Sequence, residues 1–427
     1  MQLPISTHTL ANGLRVVISE DHTAPIVAVN LWYHVGSANE RLDRTGFAHL
    51  FEHMLFQGSE QVAANEHFEL VQRAGGTLNG STWIERTNYY ETVPSSQLAL
   101  ALWLEADRMG RLLPALTQQK LDTQRDVVKN ERRWSVENQP YGTWWERLPA
   151  LCFPPGHPFH HSLIGSMDDL TAATLEDVAE FFALHYSPDN AVLSIVGDAS
   201  RDEAMALVER YFGPLPRRAG RPPLAETAVP DTFGEWRREV VPDDVVVPRL
   251  FLAFRSPTFG SEEYHAASIC GAILGNGKGG RLHRSLVRDQ QVATAASVYT
   301  FDLSRGSDLL IVDVTARPGV TSDRLEESVA HEIDQLHAKG VTPPEVKRAI
   351  ALVTTEFVSS MQSAQSRADR LSQFATYLSS PEILNEQVSR YTAVTLEEIN
   401  RFASGRLGPD NRASLLYVPR SIEAVVA

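Results

Sequence analysis

Two segments of the chain repeat one pattern of apolar and polar positions. TLEDVAEFFALHYSPDN starts at Thr174 and TLEEINRFASGRLGPDN at Thr395, 221 residues on, and both set Pro-Asp-Asn at the same distance from Thr-Leu-Glu. Each predicts a helix capped by its threonine, with acidic residues in the first turn, followed by a turn. A strand comes next in both, AVLSIVGD in one and RASLLYVP in the other. The same offset lays NLWYHVGSANE, from Asn30, on FLAFRSPTFGS, from Phe251, and both read as an apolar strand running into a Gly/Ser turn.

The chain thus reads as two copies of one α/β unit, residues 1–212 and 236–427. Between them Gly213 to Glu235, rich in Pro, Gly and charge, has the composition of a linker. Within each half, strands precede long helical patterns instead of alternating with them. That predicts an α+β fold, two homologous sandwich halves of mostly antiparallel sheet packed with helices, facing each other across a cleft.

Composition narrows the function. With 427 residues, 43% of them hydrophobic, the chain is ample for a packed core and long for one domain. A net charge of -14 disfavours a nucleic-acid binder and suits neutral or cationic peptide partners. Cys152 and Cys270 are the only cysteines, too few for a disulfide framework or a Cys-rich zinc module. No apolar run approaches the roughly 18 residues that span a bilayer, and the N-terminus lacks the pattern of a signal peptide. The expectation is a cytoplasmic protein that does not engage membranes, or a periplasmic one if a leader has been removed.

One stretch stands out against this background. HLFEHMLF, residues 49–56, sets His49, Glu52 and His53 in an otherwise apolar run. Shifted by the repeat, it falls on CGAIL from Cys270, a plain apolar helix segment. A slot that needs no polar group in one copy carries three in the other. On a helix, residues four apart share a face, so His49 and His53 can converge on one ion. Zinc accepts neutral imidazole and carboxylate ligands and, in catalytic sites, leaves a position open to water. Glu52, beside that face, is placed as a general base. Glu105, Glu131 and Glu137 are the candidates for a third ligand. A second cluster, His157, His160 and His161 in GHPFHHS, reads as a Pro-rich structural loop.

H-x-x-E-H is the inverted zincin signature, and its surroundings resemble the pitrilysin/insulinase family, in its processing-peptidase-like branch. TGFAHLFEHMLFQGSE resembles that family's zinc helix, GGTLNGSTWIERTNYYETVP its substrate-binding edge strand, and RDVVKNERRWSVENQPYG the helix of the third ligand. The resemblance implies a metalloendopeptidase that hydrolyses short or unfolded peptides with one Zn2+ per chain. His49, His53 and Glu131 would be its ligands and Glu52 its base. Asn79, Gly80 and Ser81 would hold the peptide by β-augmentation, against the plainer reading of Asn79-Gly80 as a tight turn. Gln124 stands where the family usually has an acidic residue, seven positions before the third ligand.

In self-sufficient relatives the second half adds an Arg and, seven residues on, a Tyr that bind the substrate carbonyl. LVRDQQVAT puts Val287 and Thr294 at those positions. Arg288 and Tyr299 lie nearby out of register. The implied partner is a paralogous subunit supplying the Arg/Tyr pair, with homodimers possible in its absence. The competing reading is a non-catalytic scaffold subunit of the same family.

Overall fold

The computed structural model describes residues 2–217 and 224–420, so part of the expected linker, residues 218–223, lies outside the described residues. In chain order the first half runs β1 (Ser6–Thr9), β2 (Arg15–Glu20), β3 (Ile26–Tyr33), α1 (Phe47–Met54), α2 (Glu66–Arg73), β4 (Thr77–Thr82), β5 (Thr87–Pro94), α3 (Leu98–Arg111), α4 (Gln118–Arg132), α5 (Trp144–Cys152), α6 (Met167–Ala172), α7 (Leu175–His185), β6 (Ala191–Gly197) and α8 (Arg201–Phe212). The second continues with β7 (Glu235–Asp243), β8 (Arg249–Ser256), α9 (Tyr264–Gly275), β9 (Ala293–Thr300), β10 (Asp308–Ala316), α10 (Ser322–Lys339), α11 (Pro343–Ser360), α12 (Ala364–Tyr377), α13 (Gln387–Ala393), α14 (Leu396–Arg406) and β11 (Asn411–Pro419).

The repeat is structural. Helices α7 and α14 begin and end 221 residues apart, and each starts on a reciprocal capping box, Thr174 with Asp177 and Thr395 with Glu398. Each box ties up two amide groups that the first helical turn leaves without partners. One sheet has the strand order β1-β2-β6-β3-β5-β4 and the other β7-β11-β8-β10-β9. Both are antiparallel apart from the β2–β6 and β7–β11 pairs. The fold is thus α+β with mostly antiparallel sheets. No helix among the described residues is long and apolar enough to cross a membrane.

Period-2 alternation along the strands decides what each face of the first sheet covers. Val27, Val29, Leu31 and Tyr33 of β3, with Tyr89 and Val93 of β5, enter a core shared with Leu50, Phe51 and Met54 of α1 and Leu102 and Met109 of α3. Asn30, Trp32 and Asn88 point to the other face, where α12 lies: Trp32 Nε1 donates to Asp369 Oδ1 at 2.9 Å, and Ser372 Oγ meets Ser194 Oγ at 2.8 Å. In the second unit α5 covers its sheet likewise, the Trp144 ring stacked on Phe251 at 4.7 Å.

This exchange departs from the contiguous division at 1–212 and 236–427. One compact unit comprises Met1–Arg132, His161–Ala225 and Val358–Gln387, the other Arg133–His160, Glu226–Phe357 and Val388–Ala427. Helix α12 is the repeat partner of α5, and each covers the sheet of the other half. Sequence periodicity locates a helix without saying which sheet it covers, which is why the repeat and the linker composition predict two contiguous units.

The exchange makes a prediction for limited proteolysis. Cutting within Gly213 to Glu235 should give two fragments of similar size on a denaturing gel that still co-elute in native gel filtration, because each fragment carries a helix that covers the other's sheet. Fragments that separate without denaturant would contradict the exchange.

Candidate metal centre

Helix α1 is amphipathic by sequence. Phe47, Leu50, Phe51 and Met54 are buried, and the Phe51 ring stacks on Tyr186 at 4.8 Å and Phe182 at 5.9 Å. Its other face carries His49, Glu52 and His53. The helix starts at Gly46, whose φ of 86° is left-handed and which offers no side-chain cap. Glu40 supplies the cap from outside: Oε2 accepts the Gly46 N–H at 2.8 Å and Oε1 the Ala48 N–H at 2.7 Å. Burial pushes the Glu40 carboxyl well above the usual carboxylate range, and these amide bonds oppose that shift. His161, from the second histidine cluster, lies 3.6 Å from Glu40 Oε2. His157 and His160 face the backbone carbonyls of Thr227 and Phe153.

The His49 and His53 rings lie 4.8 Å apart, centroid to centroid. Glu131, on the last turn of α4, faces both, its Oε1 3.7 Å from His49 Nε2 and its Oε2 3.3 Å from His53 Nε2. One donor atom from each residue falls within 4.8 Å of the others. Burial, then the neighbouring His53, pushes His49 down to about 4, so its imidazole is neutral near pH 7. A hydrogen bond from His53 holds the Glu131 carboxyl below its ordinary value. Two imidazoles, one firmly neutral, and an ionised carboxylate match the donor chemistry that zinc takes. Glu137 is exposed at the end of the π-helical stretch Arg133–Glu137 that continues α4, and Gln124 is buried within α4.

Glu52 faces the edge strand β4. Thr82 Oγ1 donates to its Oε2 at 2.7 Å, and a Cβ added to Gly80 would sit 3.1 Å from its Cγ and 3.3 Å from its Oε1. Gly80 therefore lets the strand approach the carboxylate closely, the second common use of glycine in a strand. Burial raises the Glu52 carboxyl, with the Thr82 bond opposing. Asn79 and Gly80 are extended, in register with Tyr90 and Tyr89, not at a turn. Asn79 Oδ1 accepts the Gly80 N–H at 2.9 Å, and Ser81 Oγ donates to Asn88 Oδ1 at 2.7 Å. Sequence reasoning missed Thr82 and Glu40. Strand alternation from Gly80 could have found Thr82, and a helix start without a capping side chain could have prompted a search for Glu40.

Glu105 belongs to a different cluster. With Glu91 and His67 it forms a second set of convergent donors, all buried. That set contains its own cation: Arg108 bonds Glu105, lies 3.8 Å from Glu91 and stands over the Tyr89 ring at 4.1 Å from its centroid. In the second unit Val287 packs against the core. Thr294 Oγ1 donates to the Thr315 carbonyl at 3.3 Å. Arg288 is exposed and pairs with adjacent Asp289, while Tyr299 lies on β9, where burial, then Asp313, pushes its phenol above the ordinary value.

Comparison with known proteins shows which family the chain resembles. Residues 15–149 match the model of the insulinase family (peptidase family M16), and residues 172–353 match that of the peptidase M16 inactive domain. The chain is 28% identical over 406 residues to the zinc protease PqqE of Helicobacter pylori, across 93% of this chain and 88% of that protein. It is 26% identical to a probable mitochondrial-processing peptidase subunit beta of Arabidopsis thaliana, across 80% of this chain and 64% of that one. The crystal structure of a protease from Helicobacter pylori superposes with a TM-score of 0.92 at 26% identity, covering 98% of this chain and all of that one.

The buried cluster predicts how stability follows pH. Burial pushes Glu105 from 4.5 up to about 8, with Arg108 opposing and Glu91 adding to the rise. A carboxyl whose folded pKa lies above its unfolded one contributes stability below about 4.5 that is lost as pH rises through about 8, by at most about 1.4 kcal/mol per pH unit. In chelator, melting temperatures between pH 5 and 8.5 should fall less steeply for Glu105→Gln than for the unsubstituted chain. Parallel curves would contradict this assignment.

Proposed function

The chain belongs to the insulinase (M16) peptidase family, in its processing-peptidase-like branch, and from that membership we propose that it is a zinc metalloendopeptidase subunit cleaving short or unfolded peptides. The observation that carries the reading is the convergence of His49, His53 and Glu131 beside Glu52, with Glu52 itself against an open sheet edge. His49, His53 and Glu131 would hold the zinc. When bound, zinc supplies a Lewis acid for the scissile carbonyl and lowers the pKa of water.

The chain's own residues do the rest. The outer edge of β4 takes the peptide as an added strand, its backbone aligned by strand hydrogen bonds. Close packing on Gly80 sets the depth at which that strand meets Glu52. Thr82 occupies Oε2 of Glu52, leaving Oε1 to take the proton of the attacking water. Burial, which raises the affinity of Glu52 for a proton, fits it to that task. The same proton then passes from Oε1 to the leaving amine. Asn79 and Ser81 keep the strand ordered, Asn79 through the Gly80 amide and Ser81 through Asn88.

Charge developing on the carbonyl oxygen also needs donors opposite the metal. Val287 is apolar and Thr294 is committed to Thr315, so we assign those donors to a paralogous partner subunit carrying an Arg and a Tyr seven residues apart. Homodimers would form where that partner is absent.

Glu52→Gln should keep about one zinc per chain and lose peptide hydrolysis by about 10²–10⁴-fold, the usual worth of a positioned base. His49→Ala should lose the zinc. Wild-type turnover by Glu52→Gln would overturn the role of Glu52, and purified protein without zinc would favour the scaffold reading. The chain alone should be a poor peptidase, weaker by about 10²–10³ for each missing donor than the mixture with its paralogue. Full activity without a partner would contradict the divided site.

A further inference from the structure

A peptide added to β4 projects its side chains alternately to the two faces of the sheet. One set faces Glu52. The other set faces α12, where a pocket of about 260 Å³ opens beside Ser81, between β4, β5 and the start of α12. A strand paired with β4 would run about 4.8 Å from it, close enough for a side chain of middle length to enter. The pocket contains no aliphatic side chain; Arg86, Tyr90, Asp369 and Arg370 line it together with Ser81 and Asn88.

Asp369 and Arg86 are held by hydrogen bonds and still have hydrogen-bonding capacity to spare. Asp369 Oδ1 accepts from Trp32 Nε1 at 2.9 Å, Asn88 Nδ2 at 3.2 Å and Asn30 Nδ2 at 3.4 Å. Its Oδ2 accepts from none of the described residues. Arg86 Nη1 donates to the Ser81 carbonyl at 2.8 Å and to Asn88 Oδ1 at 3.0 Å, while its Nε and Nη2 donate to none of them. The pocket therefore offers an unused acceptor on Asp369 and unused donors on Arg86, both groups whose other bonds fix them in place. A carboxylate entering it meets Asp369, and an ammonium meets Arg86 and Arg370. A neutral side chain carrying both a donor and an acceptor satisfies the two together.

We propose that this pocket is a specificity subsite, resting on the peptidase reading above, that takes the carboxamide of a glutamine or asparagine from the peptide bound on β4. The NH2 of that side chain donates to Asp369 Oδ2 and its carbonyl oxygen accepts from Arg86. The subsite lies on the face of the sheet opposite Glu52, so it selects the peptide without touching the reacting atoms.

The test is binding, measured by fluorescence anisotropy with zinc-loaded Glu52→Gln protein, which holds peptides without cleaving them. Labelled unstructured peptides carry Gln, Glu, Lys or Leu at one position, scanned along the sequence. At one register Gln should bind about tenfold tighter than the others, the scale of one hydrogen bond to a charged group. Adding Asp369→Asn exchanges the acceptor for a donor and should turn the preference to Glu. Ser366 also lines the pocket, and Ser366→Phe, which fills it without removing a partner of Asp369, should level the series and decides the matter if Asp369→Asn does not fold. Peptides that bind with no preference for Gln, or with one that survives both substitutions, overturn the subsite and leave the peptidase reading standing. Failure of every peptide to bind overturns both.

Discussion

The site depends on how the first turn of α1 is held. Four amide groups at a helix start lack partners within the helix, and here Gly46, in a left-handed conformation, offers no side chain to cap them. The buried carboxylate of Glu40 takes two, those of Gly46 and Ala48. With the start fixed by Glu40 and the underside by Phe51 on Tyr186, the helix has little freedom to rotate or slide. The directions of His49, Glu52 and His53 follow from that restraint, because the three share one helix and differ only in angle around it.

The second restraint joins this helix to the sheet. Thr82 bonds Glu52, and Gly80, having no side chain, lets β4 come up against it. Glu52, the proposed base, and the open strand edge are consequently parts of one packed arrangement. On the reverse of the same sheet α12 contributes Asp369, which gathers Asn30, Trp32 and Asn88 from β3 and β5. Residues from the second half of the sequence thereby hydrogen-bond to the sheet whose open edge is β4. The duplicated unit has been used asymmetrically: the position of His49, Glu52 and His53 is apolar in α9, and its exchanged helix serves the other copy.

Much of this was legible in the sequence because it rests on local rules. The Thr174 and Thr395 caps, the strand patterns and the i, i+4 histidines each depend on neighbours a few residues away, and the repeat at 221 residues checked them against each other. The choice of Glu131 over Glu105 and Glu137 came from resemblance, and the geometry supplies the physical reason: Glu105 is buried against Arg108 and Glu137 is exposed beyond α4. What sequence could not disclose depends on chain crossings. The exchange of α5 and α12, the reach of Glu40 to the start of α1, and the meeting of Asp369 with Asn88 join residues whose spacing along the chain carries no periodic signal.

The central claim is that one metal ion sits where α1 and α4 converge. Anomalous diffraction at the zinc edge, on crystals of the metal-loaded protein, tests it most directly. The account predicts a single strong peak bounded by His49 Nε2, His53 Nε2 and the Glu131 carboxylate. A peak among His67, Glu91 and Glu105 instead, or no ordered zinc between α1 and α4, would contradict it.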